Sequence, residues 1–291
     1  EGIAPSIVAT GSRTLSRVHL TRVEIDAHYS AADLDYIRAD DRITDVVVVS
    51  ASDVVAALRP IRDLAHALET APHVNALRLR SLTFNYEPGR FTPAVIHALA
   101  DLNRLTPANP LRLEIETQFL VAAEVLPLHA RLARQLNRRG ISVYGNTPLL
   151  GGINDTPAAI QQLSFACRQA GIEFHHLYLA GLPIQNEWNR KRPVSLYDVV
   201  DIATTVRREG SGREVPRYMI RTVLGEVDFG LSSMVVGCKA DLSVKLLPYD
   251  QAYFSSMSSD FTWPAGVTHD IDGNTVVPVA GLFKTTDFPL S

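Results

Sequence analysis

Apolar and polar positions along this chain follow two alternating rhythms, period two in short runs and a helical period in the longer runs between them. Arg17 to Ile25 sets Val18 and Leu20 against His19 and Thr21 and predicts a first strand. Ser30 caps a predicted helix through Leu34 and Ile37 that ends near Asp40-Asp41. Val46 to Val49 is an unbroken β-branched run, the signature of a buried parallel strand. Ser52 or Asp53 opens the next helix, which runs through Ala67. Val74 to Arg80 is the third strand, and Thr92-Pro93 starts a helix through Leu102. Leu111, Leu113 and Ile115 alternate with Arg112, Glu114 and Glu116 in a fourth strand, and a helix follows to Arg139.

Punctuation is clearest from Arg138 to Gln185. Arg138-Arg139-Gly140 is a basic last turn with a glycine stop. Ile141 to Tyr144 is a strand ending at Gly145-Asn146. Asp155 or Thr156 caps a helix with Pro157 in its first turn, Gly171 stops it, and Phe174 to Ala180 is the next strand. Ser195 then caps a helix through Val206, and Arg217 to Val223 is one more strand.

Strands and helices in uninterrupted alternation imply parallel strands with right-handed crossovers, in either a barrel or a doubly wound open sheet. In barrels the ligand lies at the carboxyl ends of the strands, which directs attention to Asn146, Thr147, His176 and Tyr178. Residues 1–16 form a weakly patterned lead-in, 17–223 the alternating body, and 224–291 a Gly/Ser-rich stretch with short strand-like runs around Asp272-Gly273. That last stretch predicts a β-rich extension covering the mouth of the body or an interface.

Composition narrows the setting. With 291 residues, 46% hydrophobic and 20% charged, the chain suits one large α/β domain or a barrel with a small appendage. A net charge of −3 gives no support for nucleic-acid or anionic-membrane partners. No apolar run reaches the ~18 residues of a transmembrane helix, and no secretory signal is visible. The chain begins at Glu1, which leaves room for a preceding segment. Two cysteines, Cys167 and Cys238, cannot build a disulfide framework and suit a cytoplasmic setting; Cys167 sits among helix apolar residues and is expected in the core.

The Gly145-Asn146 strand end and Leu149-Leu150-Gly151-Gly152-Ile153-Asn154-Asp155 resemble a motif of the lysine 2,3-aminomutase family of radical S-adenosylmethionine enzymes. The resemblance runs back through Pro72-His73-Val74 and Phe91-Thr92-Pro93, and forward through Arg192-Pro193-Val194-Ser195 and Val215-Pro216. It covers roughly residues 17 to 222, with the chain one residue shorter inside the central match. It implies a partial (β/α)6 barrel of the radical S-adenosylmethionine type, TIM-like, with the β-rich extension appended. It also implies an isomerase activity using a 4Fe-4S cluster, S-adenosylmethionine and pyridoxal phosphate.

The residues for that chemistry are missing at the matching positions. Three cysteine thiolates should follow the first strand, but that strand ends near Glu24 and the helix starts by Ser30. Where the resemblance implies Gly-Gly-Asp, the chain reads Ser50-Ala51-Ser52-Asp53, and Asp53 serves equally as a helix cap. The segment matching the pyridoxal-phosphate lysine is Arg221 to Phe229, with one glycine and no lysine; Lys239 and Lys245 lie further on and suit the surface. The family's two substrate-neutralising aspartates fall at Gly181 and Arg221, so a cationic amino acid is disfavoured and Arg221 suits a carboxylate.

The candidate mouth residues are therefore Asp53, Glu114, Glu116, Asn146, His176, Tyr178 and Arg221. Glu24, Asp26 and His28, with Glu114, Glu116 and His176, are the raw material of a weak metal site. Glu114 and Glu116, two apart on a strand, share either a polar interior or solvent. Three readings follow. One is a degenerate homologue with a binding or scaffold role, self-associating or paired with an active homologue. Another is an active aminomutase-type enzyme whose cluster loop lies outside the given sequence. The third is a repurposed barrel enzyme acting on a small carboxylate-bearing, amino-acid-like ligand. Gly181 to Trp188 is the candidate recognition loop, or equally a structural turn.

Overall fold

The structure, a computed structural model, describes residues 3–50, 53–103, 110–238 and 242–282. Ala51, Ser52 and Lys239, which the sequence reading singles out, lie outside the described residues. Two compact units emerge, one from Glu1–Gln118, Val125–Gly145 and Cys167–Glu173, the other from Phe119–Glu124, Asn146–Ala166 and Phe174–Ser291.

In the first unit β1 (Leu15–Arg17) pairs antiparallel with β2 (Arg22–Asp26). The expected single strand from Arg17 to Ile25 is thus a hairpin. His19 accepts from the Arg22 amide at 3.3 Å and the chain reverses there. The lead-in takes part as well, since Val8 bridges Arg17 and both Ile7 and Val8 are buried. α1 (Ala31–Ala39) begins on a reciprocal capping box between Ser30 and Asp33.

β3 (Asp45–Val49), α2 (Leu58–Ala67), β4 (Ala76–Arg80), α3 (Thr83–Tyr86), α4 (Pro93–Leu102), β5 (Arg112–Gln118), α5 (Pro127–Asn137) and β6 (Ser142–Pro148) follow. The helix expected from Asp53 starts at Leu58 instead. Asp53 has a positive φ of 66°, and its carboxylate is engaged by the β4–α3 turn rather than by α2. β6 continues past Gly145-Asn146 to Pro148.

Register explains why these runs are strands. Ile25, Val48, Leu79 and Ile115 form one row across β2 to β5, and Val23, Val46, Leu77 and Leu113 form the next. All eight are 0% exposed. At roughly 1.5–3 kcal/mol per buried aliphatic side chain, this face holds the sheet. The other face carries Glu24, Arg78 and Glu114 in a single row.

In the second unit α6 (Pro157–Ala170) leads to β7 (Glu173–Ala180), α7 (Pro183–Trp188), α8 (Leu196–Glu209), β8 (Arg217–Thr222) and β9 (Gly225–Asp228). The Ala159 amide donates to the Thr156 hydroxyl at the start of α6, so Thr156 is the cap and Asp155 instead accepts from Gly152. β7 and β8 are parallel, and β8 and β9 form an antiparallel hairpin. β10 (Ser233–Cys238), β11 (Leu242–Leu246), α9 (Gln251–Ser255), β12 (Thr268–His269) and β13 (Thr275–Val279) complete the chain. These last strands form a separate antiparallel sheet in the order β10-β11-β13-β12.

Strand order follows chain order from β1 to β6 in the first unit and from β6 to β9 in the second, without reversal. A doubly wound sheet reverses its order at a switch point, whereas a (β/α) barrel does not. The fold is α/β, with the winding of a partial barrel and a β-rich extension. Among the described residues no helix is long and apolar enough to cross a membrane.

Candidate functional site

The polar face of the first unit is a ladder of ion pairs. β4 reads Leu77, Arg78, Leu79, Arg80, and β5 reads Leu113, Glu114, Ile115, Glu116, so the register sets each arginine beside a glutamate. Arg80 donates through Nε to Glu116 at 2.7 Å and through a terminal nitrogen to Glu24 at 2.9 Å. Arg78 binds Glu114 at 3.0 Å and lies 3.6 Å from Glu116. Arg112 and the Tyr144 hydroxyl also donate to Glu114, and the Arg78 guanidinium sits over the Tyr144 ring at 5.5 Å.

Burial alone would raise the Glu116 pKa, but Arg80 and Arg78 override it and hold the carboxyl at about 2. Arg80 is correspondingly raised well above its ordinary value, the two glutamates outweighing the desolvation that opposes them. Glu114 and Glu116 thus face a buried polar interior, already neutralised by arginines. Glu24 also accepts from the Ala4 amide at 2.7 Å, and Asp26 accepts from the His28 amide at 2.7 Å. Among the described residues no group of three or more His, Cys, Asp or Glu side chains is placed to hold a metal ion.

Asp53 makes a different set of contacts. It accepts from the Ser81 hydroxyl at 3.0 Å, the Thr83 amide at 3.1 Å and the Val55 amide at 3.2 Å, pinning the turn after β4. Beyond that turn, Asn85 donates to the Gln118 carbonyl at 2.6 Å. His129, fully buried, accepts from the Leu126 amide through Nδ1 and donates through Nε2 to the Asn85 carbonyl, each at 2.9 Å.

The second unit gathers the remaining candidates. His176 and Tyr178 lie two apart on β7, both buried, with ring centroids 5.7 Å apart. Tyr178 is in register with Met219, which puts Arg221, two residues on, on the same face. Arg221 is opposite Glu226 in the β8–β9 hairpin, and Glu226 accepts from the Tyr178 hydroxyl at 3.0 Å. Asn146 belongs to this unit, and its buried Oδ1 has no hydrogen-bond partner among the described residues. Glu226 carries no sequence signal of its own, since it lies just past the last predicted strand, where the chain's rhythm breaks. For Arg78 and Arg80 the sequence signal is their alternation with Leu77 and Leu79, which mirrors that of β5.

The turn from Gly181 to Trp188 is a lock. Gln185 and Asn189, both fully buried, donate to the Leu149 carbonyl at 3.2 and 3.1 Å. Asn189 also donates to Gly281 at 2.9 Å, the Gly181 amide to Ala280 at 3.0 Å, and Trp188 to Gly151 at 3.0 Å. The end of the β-rich extension therefore seats against the carboxyl end of β7. Gly181 has φ +94°, and a Cβ there would meet the Arg221 carbonyl oxygen at 1.8 Å. Lys245, expected at the surface, is mostly buried against Asp270 at 2.6 Å.

The strands and crossovers define a partial α/β barrel whose strands carry a charged face. By sequence it is a distant relative of the lysine 2,3-aminomutases. L-lysine 2,3-aminomutase of Fusobacterium nucleatum is 25% identical over 187 residues, covering 64% of this chain and 41% of that protein. Glutamate 2,3-aminomutase of Clostridioides difficile is 22% identical over 204 residues, covering 69% of this chain and 46% of that protein. The chain thus spans less than half the length of these two relatives. No family model matches. A xylose isomerase domain-containing protein of Salmonella typhimurium LT2 aligns at a TM-score of 0.33 with 10% identity, over 68% of this chain and 78% of that one.

Proposed function

We propose that this chain is an aminomutase-type barrel without the radical machinery, serving as a binding or scaffold protein. The observation that carries this reading is the connection between β2 and α1. It consists of Ala27, His28, Tyr29 and Ser30, contains no cysteine, and is closed by its own hydrogen bonds. The Ser30 amide and hydroxyl donate to Asp33 at 2.7 and 2.9 Å, and the Thr14 hydroxyl joins them at 2.6 Å.

The chain's two cysteines offer no substitute. Cys167 is buried in α6 with its thiol pushed up to about 12 by that burial, and Cys238 ends an antiparallel strand of the extension. The residues present do not fit an iron–sulfur cluster. Nor do they fit a pyridoxal-phosphate aldehyde partner, since the segment after β8 is the tight β8–β9 hairpin and holds no lysine. Asp53, at the remaining cofactor position, is committed to Ser81 and Thr83.

The test is iron and sulfide content after anaerobic reconstitution, with an absorption spectrum and an intact mass. No stoichiometric iron and no cluster absorption are expected. About four irons per chain would overturn the proposal and establish an active radical enzyme with cysteines outside this sequence.

A further inference from the structure

We infer that the outer edge of β10 is an interaction surface on which a second copy of this chain lays its own β10 antiparallel, about a two-fold axis. The inference goes beyond the reading above and does not depend on it. The starting point is sheet topology. In the order β10-β11-β13-β12, β10 pairs with β11 on one side, and among the described residues no strand pairs with its other side. An edge strand presents unpaired amides and carbonyls to any further strand, and folds blunt such edges with charge, proline or short length.

The other described sheet edges are blunted in that way. β1 has three residues, ends in Arg17 and is bridged by Val8; β9 carries Glu226 and Asp228; β12 is two residues long. β10 has six residues, with no charge and no proline. Leu231, Met234, Val235, Val236 and Leu247 expose apolar side chains along it, Leu231 at 86% and Met234 at 54%. They form one patch, since the Leu247 amide donates to the Ser232 carbonyl at 3.0 Å and Ser233 is in register with Leu246. The register shift between Val235 and Gly237 adds twist to the far half of the strand, so the contact centres on Leu231 to Val235.

Self-complementarity identifies the occupant. Laid antiparallel against itself, the stretch opposes apolar to apolar side chains and brings no like charges together. A charged partner would find no counter-charge on β10 to select it. Doubled by the two-fold axis, these side chains and the strand backbones between them remove on the order of 1,000 Å² from water, the size at which a specific interface begins. Pairing joins the two four-stranded sheets into one continuous sheet, and such an isologous contact closes at two copies.

The experiment is sedimentation equilibrium of the full chain from about 1 to about 100 μM, with amide hydrogen exchange on the same samples. A monomer–dimer equilibrium is expected, with the outward-facing β10 amides exchanging more slowly as concentration rises. Met234→Lys puts a charge on the edge and should weaken dimerisation at least about tenfold. Ile271→Lys alters a fully exposed apolar residue in the β12–β13 turn and should dimerise as the parent does. If Met234→Lys misfolds by circular dichroism, Leu231→Asp serves instead, since that side chain precedes the strand and lies in solvent. Three results would each overturn the assignment. They are a chain still monomeric at the highest concentration, a dimer that the β10 variant leaves unchanged, and outward-facing amides protected equally at every dilution. The last would show that the chain itself covers the edge.

Discussion

Arg80 and Glu116 meet at 2.7 Å across β4 and β5. Both are largely shielded, with side chains 21% and 10% exposed, and each also serves a second partner. Deleting one member of such a pair strands the other charge in a poor solvent, which costs about 3–5 kcal/mol. Arg80→Met and Glu116→Gln should each lower stability by that order in urea unfolding. The double variant should be less destabilised than the sum of the two singles, because neither member of the pair is left facing an empty partner position. Additive losses would mean that the two side chains are not coupled. Gly181 is sensitive for a different reason. Gly181→Ala adds a methyl group at 1.8 Å from a backbone oxygen and forces φ +94° on a residue that resists it. A loss of more than about 1 kcal/mol in urea unfolding is expected.

At the scale of elements, what was legible from sequence is what local chemistry decides. The α1, α4 and α8 caps at Ser30, Thr92 and Ser195 were all readable, because a capping hydroxyl bonds an amide three residues away. Ser30→Ala should cost about 1 kcal/mol by that mechanism alone. It should cost more here if the Ser30–Asp33–Thr14 bonds hold the β2–α1 connection closed, and thermal melts of Ser30→Ala and Thr92→Ala side by side would separate the two cases. The first hairpin was not legible, since the apolar alternation of Val18 and Leu20 continues straight through its turn. Asp53 reads as a cap for the helix after it, whereas α2 starts only at Leu58 and the carboxylate accepts from the nearby Val55 amide and, 28 and 30 residues later, from Ser81 and Thr83. The polar face of β5 was visible as Glu114 and Glu116, but their arginines come from a strand 36 residues earlier, a pairing that only register creates. Glu226 needed the β8–β9 hairpin, which the broken rhythm after residue 223 concealed.

For the molecule as a whole, the carboxylates set the acid limit of stability. Glu116 and Asp40 are both held at about 2, Glu116 by Arg80 and Arg78 against the burial that opposes them, Asp40 chiefly by its hydrogen bond to Arg42. Asp33 is also lowered, its bonds from Ser12, Thr14 and Ser30 together outweighing desolvation. Each has a folded pKa below its ordinary value, 4.5 for the glutamate and 3.8 for the aspartates, so the unfolded chain takes up protons first on acidification. The stabilisation is therefore complete above the ordinary carboxylate range and is lost as pH falls from there towards about 2. Thermal midpoints should be flat near neutrality and fall steeply below about pH 4. Glu116→Gln should lower the plateau and make the acid limb shallower, because one of the proton-linked groups has gone. An acid limb of unchanged slope in that variant would show that the Arg–Glu ladder does not govern the acid response, and would shift that role to the Asp40 and Asp33 contacts around β1 and α1.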